Sequence, residues 1–188
     1  MTNIPSPKLE QVALSGNERF KKDGNELPYS ALDFWRWASS DLASNATRGV
    51  LAEFIVAKML GIELATRNEW DDFDLITPDG TTIEVKSSAY IQSWHQKKPS
   101  APKFDIAKRK YYTDPATGEY KKYDTPRRTA DLYIFALMKG MITQTRDPLD
   151  LENWEFYQLT REVIDEKFGD RKSVGVRELE GINTKNMN

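Results

Sequence analysis

Between Phe73 and Ser87 apolar and polar residues alternate on either side of Pro78-Asp79-Gly80, and this restricts the fold more than any other stretch does. Proline presets the first turn position and glycine supplies the left-handed residue of a three-residue loop, so the segment reads as a β-hairpin. With that loop, Thr77 pairs with Thr81. Counting outward sets Leu75 opposite Ile83, Asp74 opposite Glu84, Phe73 opposite Val85 and Asp72 opposite Lys86. Phe73, Leu75, Ile83 and Val85 then share one face, as a core face should, while Asp74, Glu84 and Lys86 share the other.

Two carboxylates opposed on a strand pair repel, at a cost of a few tenths to about 1 kcal/mol, unless a proton or cation lies between them. A divalent metal resolves the conflict. The chain has no cysteine and one histidine, His95, so a metal would be held by oxygen ligands or by that lone histidine, which favours a hard cation such as magnesium or manganese. Lys86, on the same face, is placed to orient a water or to stabilise charge on a phosphate.

Upstream, Ser30 with Asp33 three residues on opens a helix through Phe34, Trp35, Trp37 and Leu42 that Asn45 ends, its aromatics expected to pack on the core. A second helix is expected from about Thr47 to Leu60, with Gly61 as its left-handed terminator. It is apolar nearly all round. At ~100° per residue, Gly49, Val50, Val56, Ala57 and Leu60 lie within roughly 60° of Glu53, which places a carboxylate in an apolar face. Downstream, Leu132 to Met138 reads as a strand buried on both faces, Trp154 to Leu159 as a further strand, and Thr160 as the cap of a helix that stops at Gly169.

The formal net charge is −2, but ten Lys and Arg face four Asp and Glu between His95 and Ala130. The basic residues are Lys97, Lys98, Lys103, Lys108, Arg109, Lys110, Lys121, Lys122, Arg127 and Arg128, interleaved with Tyr111, Tyr112, Tyr120 and Tyr123. One reading is a solvated loop. The other is a second hairpin over Tyr111 to Tyr120 that grips phosphates, with tyrosines stacking on unpaired bases.

Asp74 followed by Glu84-Val85-Lys86 on the next strand, with Glu53 on the preceding helix, resembles the PD-(D/E)XK signature of restriction-endonuclease-like nucleases across Arg48 to Trp94. Phe73 stands where that signature has proline. The resemblance implies an α/β fold with a mixed central β-sheet flanked by helices. It implies that Asp74, Glu84 and the Val85 carbonyl hold magnesium or manganese, that Lys86 positions the attacking water, and that Glu53 completes or orients the site. Tyr90 and Gln92 would be polar contacts to substrate or active site. The expected activity is hydrolysis of nucleic-acid phosphodiesters, DNA before RNA; the alternative is a catalytically inactive nucleic-acid-binding protein on the same fold. Cutting both strands of a duplex usually takes two sites, which leaves a homodimer open.

The expected organisation is a polar extension or short ancillary helix over residues 1–28, one nuclease domain over 29–182 with a basic insertion at about 94–128, and a disordered tail over 183–188. Met1 to Lys8 has neither the basic start nor the apolar run of a secretory signal, and no stretch is long enough to span a bilayer. A cytoplasmic location without a membrane partner is therefore expected.

Overall fold

The computed structural model describes residues 11–68, 72–114, 117–140, 147–182 and 185–186. The chain divides into two compact units, one of Met1–Ser40 with Leu64–Asn68 and one of Asp41–Glu63 with Glu69–Asn188.

In the first unit, β1 (Arg19–Lys22) and β2 (Asn25–Ser30) form an antiparallel hairpin, followed by α1 (Ala31–Ser39). Its turn is Asp23-Gly24, with φ of 52° and 80°, the left-handed pair that matches the twist of a two-residue hairpin. A hairpin thus replaces the expected extension or helix. Both faces of these strands are largely exposed, so there was no period of two to read. Ser30 caps α1 and Asp33 reciprocates to the Ser30 main chain, the expected capping box. The helix stops at Ser39, and Asn45, expected to end it, instead begins the next helix behind the cap Ser44. Phe34 and Trp35 are partly exposed and Trp37 is 83% exposed. The buried core clusters include none of the three, so their expected packing on the core is not found.

The second unit contains α2 (Asn45–Met59), β3 (Leu75–Ile76), β4 (Thr82–Ala89), β5 (Lys103–Asp105), β6 (Arg109–Thr113), β7 (Tyr120–Arg127), β8 (Leu132–Met138), β9 (Trp154–Thr160), α3 (Arg161–Phe168), β10 (Ser173–Gly175), α4 (Val176–Glu180) and β11 (Lys185–Asn186). Its central sheet has the order β11-β9-β8-β4-β3; β4 and β8 run parallel and the other neighbours antiparallel. The fold is therefore mixed α/β with a mixed sheet flanked by helices. Thr160 caps α3 and Gly169 follows it, as expected. Lys185 and Asn186 pair with β9, so this part of the expected disordered tail is a strand; residues 183–184 and 187–188 lie outside the described residues. Among the described residues, no helix is long and apolar enough to cross a membrane.

Strand alternation sorts the core into two layers. Ile83, Val85, Ile134, Ala136, Met138, Trp154 and Phe156 cluster with Ala52, Ile55 and Val56 of α2. On the other side Tyr133, Phe135, Leu137, Tyr157 and Leu159 cluster with Phe104, Ile106, Ile164, Phe168, Val174 and Leu179. Strand β8 is accordingly buried on both faces. The buried stripe of α2 is Arg48, Ala52, Ile55, Val56 and Ala57, whereas Val50 and Leu60 are exposed. Glu53 is half-buried, so it borders the packed stripe instead of lying amid it; a helix apolar nearly all round does not announce which face it will bury. Gly61 ends α2 with φ 66°.

The crossover from β4 to β8 contains β5, β6 and β7. Strand β5 pairs with β10, while β6 and β7 pair with each other in a separate two-stranded sheet. Arg128, 1% exposed, pins the end of this crossover: Nε donates to the Ile106 carbonyl at 2.7 Å, Nη2 to those of Gly169 and Arg171 at 3.0 and 3.2 Å, and Nη1 pairs with Asp165.

Candidate active site

The hairpin that carries the paired carboxylates has the register that its turn chemistry dictates. Gly80 lies at φ 89° and its N–H donates to the Thr77 carbonyl at 2.9 Å, while the Thr77 N–H donates to Thr81 at 3.0 Å. Leu75 faces Ile83, and the Asp74 N–H donates to the Ile83 carbonyl at 2.9 Å, which sets Asp74 beside Glu84. Regular pairing begins at Leu75, and two details change before it. Phe73 packs in the layer opposite Leu75, Ile83 and Val85. Asp72 does not face Lys86: its carbonyl accepts from Thr129 Oγ1 at 2.8 Å, and its carboxylate approaches Arg109.

Glu84 is 3% exposed, and burying a carboxylate is costly without compensating charge. Two cations supply it. Lys86 Nζ pairs with Glu84 Oε1, and Arg109 Nη2 donates to Oε1 and Oε2 at 3.2 and 3.3 Å. Asp74 is held differently, with Oδ2 accepting from the Val85 N–H at 2.7 Å. Because the N–H and C=O of one strand residue point to the same side, the Val85 carbonyl is directed that way too. Burial and the charge of Glu84 push the Asp74 carboxyl up to about 6, with a further upward push from Glu53, against the pull of the Val85 N–H and Lys86. Tyr133, the parallel partner of Glu84 on β8, has its phenol raised to about 12 by burial and by Glu84.

Among the described residues, no group of three or more His, Cys, Asp or Glu side chains is arranged to hold a metal ion. Magnesium, however, commonly uses one or two carboxylates and keeps several waters. Asp74, whose ionisation burial and the Glu84 charge make costly, and Glu84 itself lie beside a main-chain carbonyl; this set fits that demand, and all the donors are oxygen.

The family model of bacteriophage T4 endonuclease IV matches residues 15–174. The chain belongs to this endonuclease family. None of the curated proteins compared with it matches. Family membership supports nuclease chemistry on a nucleic-acid substrate. The matched span includes β1, β2 and α1 as well as the Asp74/Glu84 hairpin.

The basic residues of this endonuclease IV family member separate into surface and structure. Lys97, Lys98, Lys110, Lys122 and Arg127 are exposed and available to phosphates. Lys108 pairs with Asp170 at 2.8 Å, and the half-buried Lys121 pairs with Asp114. Gln92 and Arg128, expected to touch nucleic acid, are buried. Gln92 accepts from Arg48 Nη1 at 3.2 Å and donates to the Ala89 carbonyl at 2.8 Å, which fixes the turn after β4. The second hairpin forms as expected, but its tyrosines stack on one another, Tyr111 on Tyr120 at 5.1 Å and Tyr112 on Tyr123 at 4.6 Å between centroids. Sequence reasoning missed Tyr133 and set Asp72 opposite Lys86 instead of beside Arg109. The period of two that groups Asp72 with Asp74 was a usable signal; nothing local pointed to Tyr133.

Proposed function

We propose that the chain is a metal-dependent nuclease that hydrolyses DNA phosphodiester bonds on a PD-(D/E)XK, restriction-endonuclease-like scaffold. The observation that carries this reading is the proximity of the Asp74 carboxyl, held by the Val85 N–H, to the charge of Glu84 on β4, with Lys86 paired to Glu84. Asp74, Glu84 and the Val85 carbonyl would hold magnesium or manganese. The cation, when bound, supplies a water of lowered pKa and neutralises charge on the phosphate. Lys86 Nζ would orient the attacking water and hold negative charge as it develops on the phosphoryl oxygens. The Val85 N–H fixes one Asp74 oxygen and leaves the other for the site. Glu53 would orient a water at the margin. Lys97, Lys98, Lys110, Lys122 and Arg127 would draw the backbone of the substrate toward the site.

The test is cleavage of supercoiled, linear and single-stranded DNA with magnesium or manganese by wild type, Glu84→Gln and Lys86→Ala, with a chelator control. The reading expects cleavage that both substitutions and the chelator abolish. Cleavage that persists with chelator would overturn metal dependence, and salt-sensitive binding without cleavage by wild type would favour an inactive binding protein.

A further inference from the structure

Arg109 reads in sequence as one more phosphate-binding cation on a basic segment, yet the fold aims it at the carboxylates. The β6/β7 register shifts between Arg109 and Tyr111, and such irregularities redirect side chains. Arg109 stands opposite Arg127 in that hairpin, where like charges repel. The two diverge: Arg127 lies over the Tyr123 ring at 4.4 Å, and Arg109 turns to Glu84 and, through Nη1, to Asp72 at 3.7 Å.

The result is that both Glu84 oxygens are already engaged by cationic side chains. A divalent cation that binds through Glu84 competes with both of them for its lone pairs and repels their charge. Lys86 is tethered two residues away on the same strand. Arg109 rides on a hairpin that pairs only with itself among the described strands, and its side chain is 37% exposed, so it has a way out into solvent. An arriving cation would repel it, and a phosphate held nearby would attract it, because the guanidinium fork matches phosphate oxygens as well as carboxylate ones.

We propose that Arg109 is an exchangeable counter-ion of the active site, holding Glu84 in the metal-free protein, yielding that place to the divalent cation, and then binding the non-bridging oxygens of the scissile phosphate. This rests on the metal-dependent nuclease reading above. It makes metal loading and substrate engagement mutually reinforcing, since each favours the displaced position of one side chain.

The experiment is calorimetric titration of manganese into the full chain without nucleic acid, for wild type, Arg109→Gln and Arg109→Lys, with thermal unfolding as the folding control. Single-turnover cleavage at saturating manganese follows. Removing a partly exposed charged competitor should tighten manganese binding in Arg109→Gln by about tenfold, while Arg109→Lys stays nearer wild type. Cleavage should fall by about tenfold or more in Arg109→Gln and recover in part in Arg109→Lys. Unchanged or weaker manganese binding in Arg109→Gln, with wild type binding normally, overturns the proposal alone. Tighter binding with undiminished cleavage overturns the phosphate contact. Absence of manganese binding in all three proteins overturns the metal-dependent reading and the proposal together.

Discussion

Replacing Asp74 by Asn should make the metal-free protein more stable at neutral pH while abolishing its activity. In the folded chain the carboxyl titrates at about 6 instead of 3.8, driven by burial and by Glu84. Below pH 3.8 the group is protonated in both folded and unfolded chains and contributes no difference. Between 3.8 and about 6 the folded state keeps a proton that the unfolded chain has released, so wild-type stability falls as pH rises, and above about 6 the loss is complete. At 1.36 kcal/mol per pKa unit the limit is ~3 kcal/mol, and relaxation of Lys86 and Arg109 brings the expected effect to about 1–3 kcal/mol. Asn keeps an acceptor for the Val85 N–H but carries no charge. For a chain of this size the gain corresponds to roughly 2–12 °C in Tm. Thermal unfolding in chelator at pH 4 and pH 7.5 measures it: the variant should match wild type within about 1 kcal/mol at the lower pH and exceed it at the higher. A variant no more stable than wild type at pH 7.5, or one whose advantage is equal at both pH values, would refute the electrostatic account of the pair. Magnesium at pH 7.5 should raise the Tm of wild type and leave that of Asp74→Asn unmoved.

Glu84→Gln and Lys86→Ala should each lower the single-turnover cleavage rate by about 100-fold or more, as measured on the preferred DNA form. Arg128→Met removes the hydrogen bonds to the Ile106, Gly169 and Arg171 carbonyls and strands Asp165, so unfolding in urea should show a destabilisation of about 3 kcal/mol. Removing Lys110, Lys122 and Arg127 together should weaken DNA binding and flatten the dependence of log K on log salt by about 0.7–0.9 for each phosphate that is no longer neutralised; fluorescence anisotropy across a salt series checks this, and an unchanged slope would dismiss the hairpin as a phosphate-binding element.

The Asp74/Glu84 hairpin was legible because everything that fixes it is local. Pro78 and Gly80 define the turn, the turn defines the register, and the register sets Asp74 beside Glu84. Strand β8 and the capped ends of α1 and α3 were legible for the same reason. What escaped depends on distant pairing or on choices that local chemistry leaves open. Tyr133 reaches Glu84 through a parallel pairing across the whole β5 to β7 crossover. Arg109 and Arg128 sit in one basic segment as equivalent cations by composition, yet one serves the carboxylates and the other a set of buried carbonyls. The β1/β2 hairpin shows little burial on either face, so hydrophobic alternation was silent there.

The self-contained pairing of β6 with β7 gives this enzyme separable reach and chemistry. Near its tip the Asp114 N–H donates to the Glu119 carbonyl at 2.8 Å and the Gly118 N–H to the Asp114 carbonyl at 2.7 Å, while Arg128 anchors the chain just after β7. Doubling the length of such a loop costs only about 0.6 kcal/mol in closure entropy. The arm could therefore be lengthened, shortened or recharged to suit a different nucleic-acid geometry with the spacing of Asp74 and Glu84 left intact, which makes its tip the natural place to graft altered substrate preference.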